Sequence, residues 1–293
     1  MVFKESKEKA IEIALALRNL FVSASFNEVM ELDAQYRAIR ELYNSTRNKW
    51  LTALVSISSA LISYRLSGFG EEYWAEVASF FSRRRINEIS ELIKEYKYFL
   101  ENFSKYNRIG IKVKEARLEK FLRSSVAAEL YRNPCIYAVN QGSLVKELAH
   151  VMKQNAVDKT IAFAGKMYYY SASVVCPNAS PDPGVPMPID GRIAYVTLIS
   201  GLVKPIENDA PLVRHRALIL GKYKEVAVNA WKRVSEISHV PCIIIDTVVW
   251  LLVRTFKSSR NLSEVVSMLK GAVGEEIALK LVKVAEVLNL VPQ

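Results

Sequence analysis

The chain has 293 residues, with 40 Lys and Arg against 30 Asp and Glu, for a formal charge of +10. Apolar residues make up 51% of it, enough to build a packed core, and that fraction excludes a disordered chain. Glycine (11) and proline (10) are scarce, which predicts long helices joined by short links rather than a β-sandwich with frequent turns.

The predicted elements follow in chain order. Glu5 to Ser23 carries Ala10, Ile11, Ala14, Leu15, Leu17 and Leu20 on roughly one face, the 3.6-residue signature of a helix. Further helices are expected over Glu31 to Tyr43 and Arg47 to Leu66, ending at the turn Ser67-Gly68-Phe69-Gly70. Trp74 to Ser82 resumes the pattern, followed by the basic triplet Arg83-Arg84-Arg85 and a helix from Ile86 to Phe103. Shorter helices are predicted over Val113 to Leu122, Val126 to Tyr131 and Ser143 to Met152, then a longer one from Val157 or Asp158 to about Ser173. The one long irregular stretch, Cys176 to Pro188, holds five prolines and a glycine, and Asp190 stands at its end before an apolar helix, Ile193 to Leu202. The C-terminal third reads as helices over Pro211 to Ile237, Ile245 to Phe256 and Ser263 to Leu288. No repeat of fixed period and no convincing pair of alternating strand patterns is present, so the expected class is all-α.

Three cysteines, Cys135, Cys176 and Cys242, are odd in number and far apart. Without a Cys-x-x-Cys pair, neither a disulfide framework nor a zinc ribbon is expected, and the compartment is expected to be reducing. The N-terminal helix carries charges throughout, unlike a secretory leader, and the uncharged run Trp50 to Tyr64 is too short for a bilayer. The expectation is a soluble, intracellular protein of the cytoplasm or nucleoid. The basic balance suggests a polyanionic partner, although many proteins of similar charge bind nothing acidic.

Several chemistries are missing. His150, His215 and His239 sit near no Cys or acid cluster with metal spacing, and there is no Gly-rich phosphate loop or Gly-x-Ser-x-Gly elbow. Neither a metal nor another cofactor is expected.

Two strings flank the Pro-rich stretch: Ala156-Val157-Asp158-Lys159-Thr160-Ile161-Ala162-Phe163-Ala164 and Pro188-Ile189-Asp190-Gly191-Arg192-Ile193. Together they resemble the helix-hairpin-helix DNA glycosylases, whose hairpin ends in a Lys-Thr-Ala-type helix start and is followed by an apolar-Asp pair ahead of the next helix. The resemblance is closest to the archaeal 8-oxoguanine DNA glycosylases, the AGOG branch. That branch is suggested by the long Lys-to-Asp separation, by Asn155-Ala156-Val157-Asp158 where hairpin glycines usually stand, and by the segment PCIIIDTVVW over Pro241 to Trp250. It covers most of the chain, from about Gln35 to Trp250.

The resemblance implies a bifunctional DNA glycosylase and abasic-site lyase that excises 8-oxoguanine. It also implies two helical lobes with the active-site cleft between them. The lobes are expected as 1–45 with 170–293, and 46–169 ending in the hairpin. Lys159 is the implied covalent amine, which attacks the anomeric carbon and forms a Schiff base that permits β-elimination. Its place in the first turn of a helix, next to other basic groups, disfavours the ammonium. Asp190 is the implied carboxylate that stabilises the oxocarbenium and shuttles the proton. An N-cap role alone also explains an Asp there. Lys166 is the competing lysine on the same helical face; the Asp-Lys-Thr-Ile-Ala string favours Lys159.

For the flipped base, the resemblance implies Phe163 and Trp250 as stacking faces, Asp246 as a hydrogen-bond acceptor, Gln35 as the reader of the purine edge, and Trp74 as a pocket wall. Judged alone, Phe163 and Trp250 also suit an ordinary core, and Gln35 a polar helix face. Asp246, inside the apolar run CIIIDTVVWLLV, must be paired or functional. Arg83-Arg84-Arg85 and the group Arg214, His215, Arg216, Lys222 and Lys224 suit either phosphate contact or a solvated face. The implied partner is DNA containing 8-oxoguanine, with no membrane and no obligate protein partner, acting as a monomer. The alternatives are a non-catalytic helical nucleic-acid-binding protein on the same scaffold, or an all-α interaction module.

Overall fold

The computed structural model describes residues 2–206, 210–259 and 261–291. The chain divides into two compact units, Met1–Leu32 with Pro186–Gln293, and Asp33–Val185. The divisions expected at 45/46 and 169/170 fall inside two helices that run unbroken through them, Ala34–Thr46 and Lys159–Val175. The all-α expectation agrees with the element order.

The first unit opens with strand β1 (Phe3–Glu5) and helices α1 (Lys7–Ser23) and α2 (Phe26–Glu31). Ser6 caps α1 by accepting from Lys9 N, and the helix buries Ala10, Ile13, Ala14, Leu17 and Leu20. The short α2, absent from the sequence expectation, is held by a capping box. Ser25 Oγ accepts from Glu28 N at 3.2 Å, and the Glu28 carboxylate accepts from Ser25 N at 2.7 Å.

The second unit holds α3 (Ala34–Thr46), α4 (Lys49–Ile62), α5 (Gly70–Phe81), α6 (Ile89–Tyr98), α7 (Ile111–Leu122), α8 (Ser125–Arg132), α9 (Gln141–Met152) and α10 (Lys159–Val175). A π-helical turn, Phe99–Phe103, ends α6. Helix α4 is the middle of this core: every residue from Leu51 to Ile62 is buried, and α10 packs on it more extensively than any other helix does. Two of its serines are satisfied within the core, Ser56 Oγ donating to Thr52 O at 2.8 Å and Ser59 Oγ lying 2.9 Å from Tyr96 Oη. The run that was too short to span a bilayer is thus a core helix. Among the described residues no single helix is long and apolar enough to cross a membrane.

The chain then returns to the first unit with α11 (Gly191–Ile199), strand β2 (Val203–Pro205), α12 (Leu212–Leu220), α13 (Lys224–Ser238), α14 (Cys242–Ser258), α15 (Leu262–Val273) and α16 (Glu275–Val287). β1 and β2 pair antiparallel, with Lys4 opposite Lys204. Three-residue strands are too short to show alternation in the sequence. The two longest C-terminal helices expected are each broken by a glycine, Gly221 after α12 and Gly274 between α15 and α16. Gly274 adopts φ +81°, a conformation that ends a helix and suits glycine.

The expectation of unpaired cysteines is overturned. Cys135 and Cys176 form a disulfide with Cα atoms 5.8 Å apart. The reason is tertiary: the Tyr168 hydroxyl of α10 donates to Pro134 O at 2.8 Å and accepts from Tyr137 N at 3.2 Å. These bonds draw the turn after α8 to the end of α10, where Cys176 is the C-cap. Cys242 remains a free, buried thiol, and burial pushes its pKa up to about 12.

Candidate active site

The hairpin lies in the second unit. Helix α9 ends at Lys153, which takes the left-handed conformation (φ +53°), and Gln154 N closes the turn on Ala149 O at 2.9 Å. A glycine usually serves at such a position; here a lysine does. The turn 155–158 is closed by Asp158 N donating to Asn155 O at 2.9 Å and by Asn155 N donating to the Asp158 carboxylate at 3.0 Å. Asp158 is the N-cap of α10 and Lys159 its first residue. The two helices approach closely at Gly165, where a Cβ would meet Val145 Cγ2 at 2.5 Å.

The Lys159 amine donates to Ser63 O at 3.2 Å and lies 5.5 Å from the centre of the Phe163 ring. Phe163 in turn meets the edge of Trp74 at 6.3 Å between ring centres. Lys159, Phe163 and Trp74 therefore form one chain of contacts. Arg117, which sequence reasoning missed, fastens both sides of the hairpin: its Nη2 donates to Gln154 Oε1 at 2.5 Å and to Thr160 Oγ1 at 2.8 Å. Next to Ser63, the Tyr64 ring lies 5.0 Å from the amine of Lys114, a fully buried lysine whose pKa burial pulls down to about 8.

Lys166 has a different setting. It is 1% exposed, lies 3.6 Å from the Asp33 carboxylate, and stands over the Tyr170 ring at 5.1 Å. The same carboxylate accepts from the Tyr170 hydroxyl at 2.8 Å and from Gln35 N at 2.8 Å, so Asp33 caps α3 and anchors the start of the helix that carries Gln35. The expected helix over Glu31 to Tyr43 placed Asp33 within it; the structure makes Asp33 the cap of a helix that starts at Ala34.

The first unit carries Asp190, Asp246 and Trp250. Asp190 is the N-cap of α11, accepting from Arg192 N at 2.8 Å and Ile193 N at 2.9 Å, as its sequence position suggested. Its carboxylate also lies 3.8 Å from Arg192 Nε. The Arg192 guanidinium stands 5.1 Å from the centre of the Trp250 indole, and Arg254 stands 5.7 Å from it. Trp250 is 5% exposed, and its buried indole N–H has no acceptor among the described residues, an uncommon cost for a donor. Asp246, one turn earlier on α14, is also buried. Asp190, Arg192, Tyr195, Arg216 and Lys257 line a concavity of about 440 Å³. Arg192 was also missed, although it stands two residues after Asp190 in the string that carries the resemblance.

A family model described as AGOG, N-glycosylase/DNA lyase, matches residues 16–284. The chain belongs to this family. Its reaction class is therefore that of an N-glycosylase and DNA lyase, and a non-catalytic module is set aside. Curated relatives named N-glycosylase/DNA lyase resemble this AGOG-family enzyme along most of their length. The Thermococcus kodakarensis protein is 28% identical over 252 residues, 85% of each chain. The Nanoarchaeum equitans protein is 30% identical over 240 residues, 82% of this chain and 87% of its own. Among solved structures, the 8-oxoguanosine complex of the 8-oxoguanine DNA glycosylase from Pyrobaculum aerophilum matches with a TM-score of 0.70. It covers 94% of this AGOG-family chain and 96% of its own, and at 22% identity that likeness bears on the fold.

Proposed function

We propose that this AGOG-family enzyme removes 8-oxoguanine from DNA through a covalent lysine intermediate, with Lys159 as the amine and Asp190 as the carboxylate. The observation that carries the reading is the contact of the Lys159 amine with both Ser63 O and the Phe163 ring. It supports a nucleophile held beside a flat face for a flipped base. The substrate is the one named for the Pyrobaculum aerophilum relative.

In the proposed reaction the neutral Lys159 amine attacks C1′ of the damaged nucleotide. The N-glycosidic bond breaks and the base leaves with the electron pair, gaining a proton. Asp190 stabilises the oxocarbenium character at the sugar and takes the proton from the attacking amine. Ring opening gives a C1′ iminium, loss of a C2′ proton expels the 3′ phosphate, and water then releases the lysine. Phe163 and Trp250 stack on the base, Asp246 accepts hydrogen bonds from it, Gln35 reads its edge, and Trp74 backs Phe163. The partner is DNA carrying the lesion, and the enzyme acts on it as a single chain at the nucleoid. No cofactor enters this scheme, because the amine is the covalent catalyst.

Borohydride trapping on a duplex with one 8-oxoguanine tests the reading. Wild type is expected to form a covalent adduct and Lys159→Ala none. An adduct that persists in Lys159→Ala would move the amine elsewhere, and no adduct with wild type would remove the covalent route.

A further inference from the structure

We infer that the concavity beside Asp190 is a phosphate subsite, in which Arg216 and Lys257 hold one DNA backbone phosphodiester. The inference rests on the proposed action on DNA and names where the backbone is gripped. Three cationic side chains, Arg192, Arg216 and Lys257, line a space of about 440 Å³ with a single carboxylate, Asp190. Like charges brought together repel unless an anion joins them. Asp190 is already engaged with two backbone amides and Arg192, and Arg192 lies on Trp250. Arg216 and Lys257 make no ion pair or side-chain hydrogen bond among the described residues, so the uncompensated charge is theirs.

A Cβ at Gly191 would sit 2.8 Å from Arg216 Nη2, so the guanidinium lies directly against the first turn of α11. A planar guanidinium fork matches two phosphate oxygens, and an ammonium adds a point charge. Tyr195 lines the same concavity. The α11 amides of Arg192 and Ile193 are used by Asp190, so here the side-chain cations, and not the helix N-terminus, take the anion. Of the basic group Arg214, His215, Arg216, Lys222 and Lys224, only Arg216 lines the concavity. A phosphate held beside Asp190 fixes the register of the adjoining sugar against the carboxylate.

The test is equilibrium binding of a duplex with a stable abasic-site analogue over roughly 50 to 200 mM salt, for wild type, Arg216→Ala, Lys257→Ala, the double variant, and Lys283→Ala. Lys283 pairs with Glu286 on α16 and serves as the control. Arg216 and Lys257 are exposed, so their removal should leave folding intact. Each single variant is expected to weaken binding several-fold and to lower the slope of log K against log salt by about one. Because one phosphodiester is shared, the double variant should also lose about one, and Lys283→Ala none. Unchanged affinity and slope in Arg216→Ala and Lys257→Ala, with wild type still binding and excising, would overturn the subsite and leave the glycosylase reading standing. A wild type that binds no damaged duplex would bring down that reading and the subsite together. Loss of inorganic-phosphate binding without any change in duplex affinity would make this a free-ion site and equally overturn the assignment.

Discussion

Lys166 and Asp33 form an ion pair shut away from water, Nζ to Oδ2 3.6 Å, with side chains 1% and 0% exposed. Tyr170 adds its hydroxyl to the same carboxylate. Two lysines on one face of α10 thus have different surroundings. Lys159 sits half-buried at the helix start, and Lys166 is enclosed in a network that anchors the start of α3.

That contrast separates folding from chemistry. Removing one partner of a buried pair leaves the other charge stranded, at a cost of about 3–5 kcal/mol. Lys166→Ala is therefore expected to lower unfolding stability by that order in urea titration, while borohydride trapping per folded molecule persists. Lys159→Ala should show the reverse: near-normal stability and no trapping. Trapping lost in a folded Lys166→Ala would transfer the amine to Lys166.

Asp190 has a cap role and a proposed chemical role, and an amide can serve only the first. Asn caps helices as well as Asp does, so Asp190→Asn should keep unfolding stability within about 1 kcal/mol. Single-turnover excision should fall by roughly 10²- to 10⁴-fold, the range for losing a positioned acid–base group. Equal excision rates in the two proteins would reduce Asp190 to a cap.

The disulfide spans 41 residues of sequence and closes a long loop of the second unit. By the chain-entropy relation, a loop of that length contributes about 4 kcal/mol by restricting the unfolded chain. Cys135→Ser should lose most of this in guanidinium titration, and wild type under strong reductant should lose a similar amount. Excision at 25 °C by the folded fraction is expected to be unchanged, since neither cysteine is among the proposed site residues. A variant as stable as wild type would show that the bridge contributes nothing.

The pattern of what the sequence revealed follows the range of the forces involved. Helices α1, α9 and α10 were legible because amphipathic periodicity and flanking breakers are local. The Asp190 cap was legible for the same reason. The capping box of α2 was equally local, Ser25 with Glu28, and was simply missed among neighbouring helices. Gly221 and Gly274 were visible as residues but not as breaks, because a single glycine is tolerated within a helix, and whether it leaves the helix, as Gly274 does at φ +81° and Gly221 at φ −113°, is settled by packing. Lys166 with Asp33, Cys135 with Cys176, and Arg192 with Trp250 are joined only by tertiary packing. No spacing rule reaches across 133 residues, 41 or 58. The candidate site was found as strings and a resemblance; its supporting cations, Arg117 and Arg192, needed the fold.

Lys114 gives a pH signature. Burial lowers its pKa from an ordinary 10.5 to about 8, and its amine donates to Asn107 Oδ1 at 2.7 Å. Between these two values the unfolded chain keeps a proton that the folded chain has lost. Stability should therefore rise with pH from about 8 to about 10.5 through this group, and below about 8 the folded state bears the full cost of the buried charge. Subtracting the pH profile of Lys114→Met from that of wild type, both by denaturant titration, isolates the slope. A flat difference would mean that Lys114 titrates normally.

The β1–β2 ribbon bears on how the protein can be handled. Ile206 N donates to Val2 O, and Ser6 N donates to Leu202 O, each at 2.9 Å, so the first few residues are stitched to the segment that directly follows α11. That helix begins at Asp190. A deletion or cleavage within β1 therefore acts on the far end of the helix that Asp190 caps.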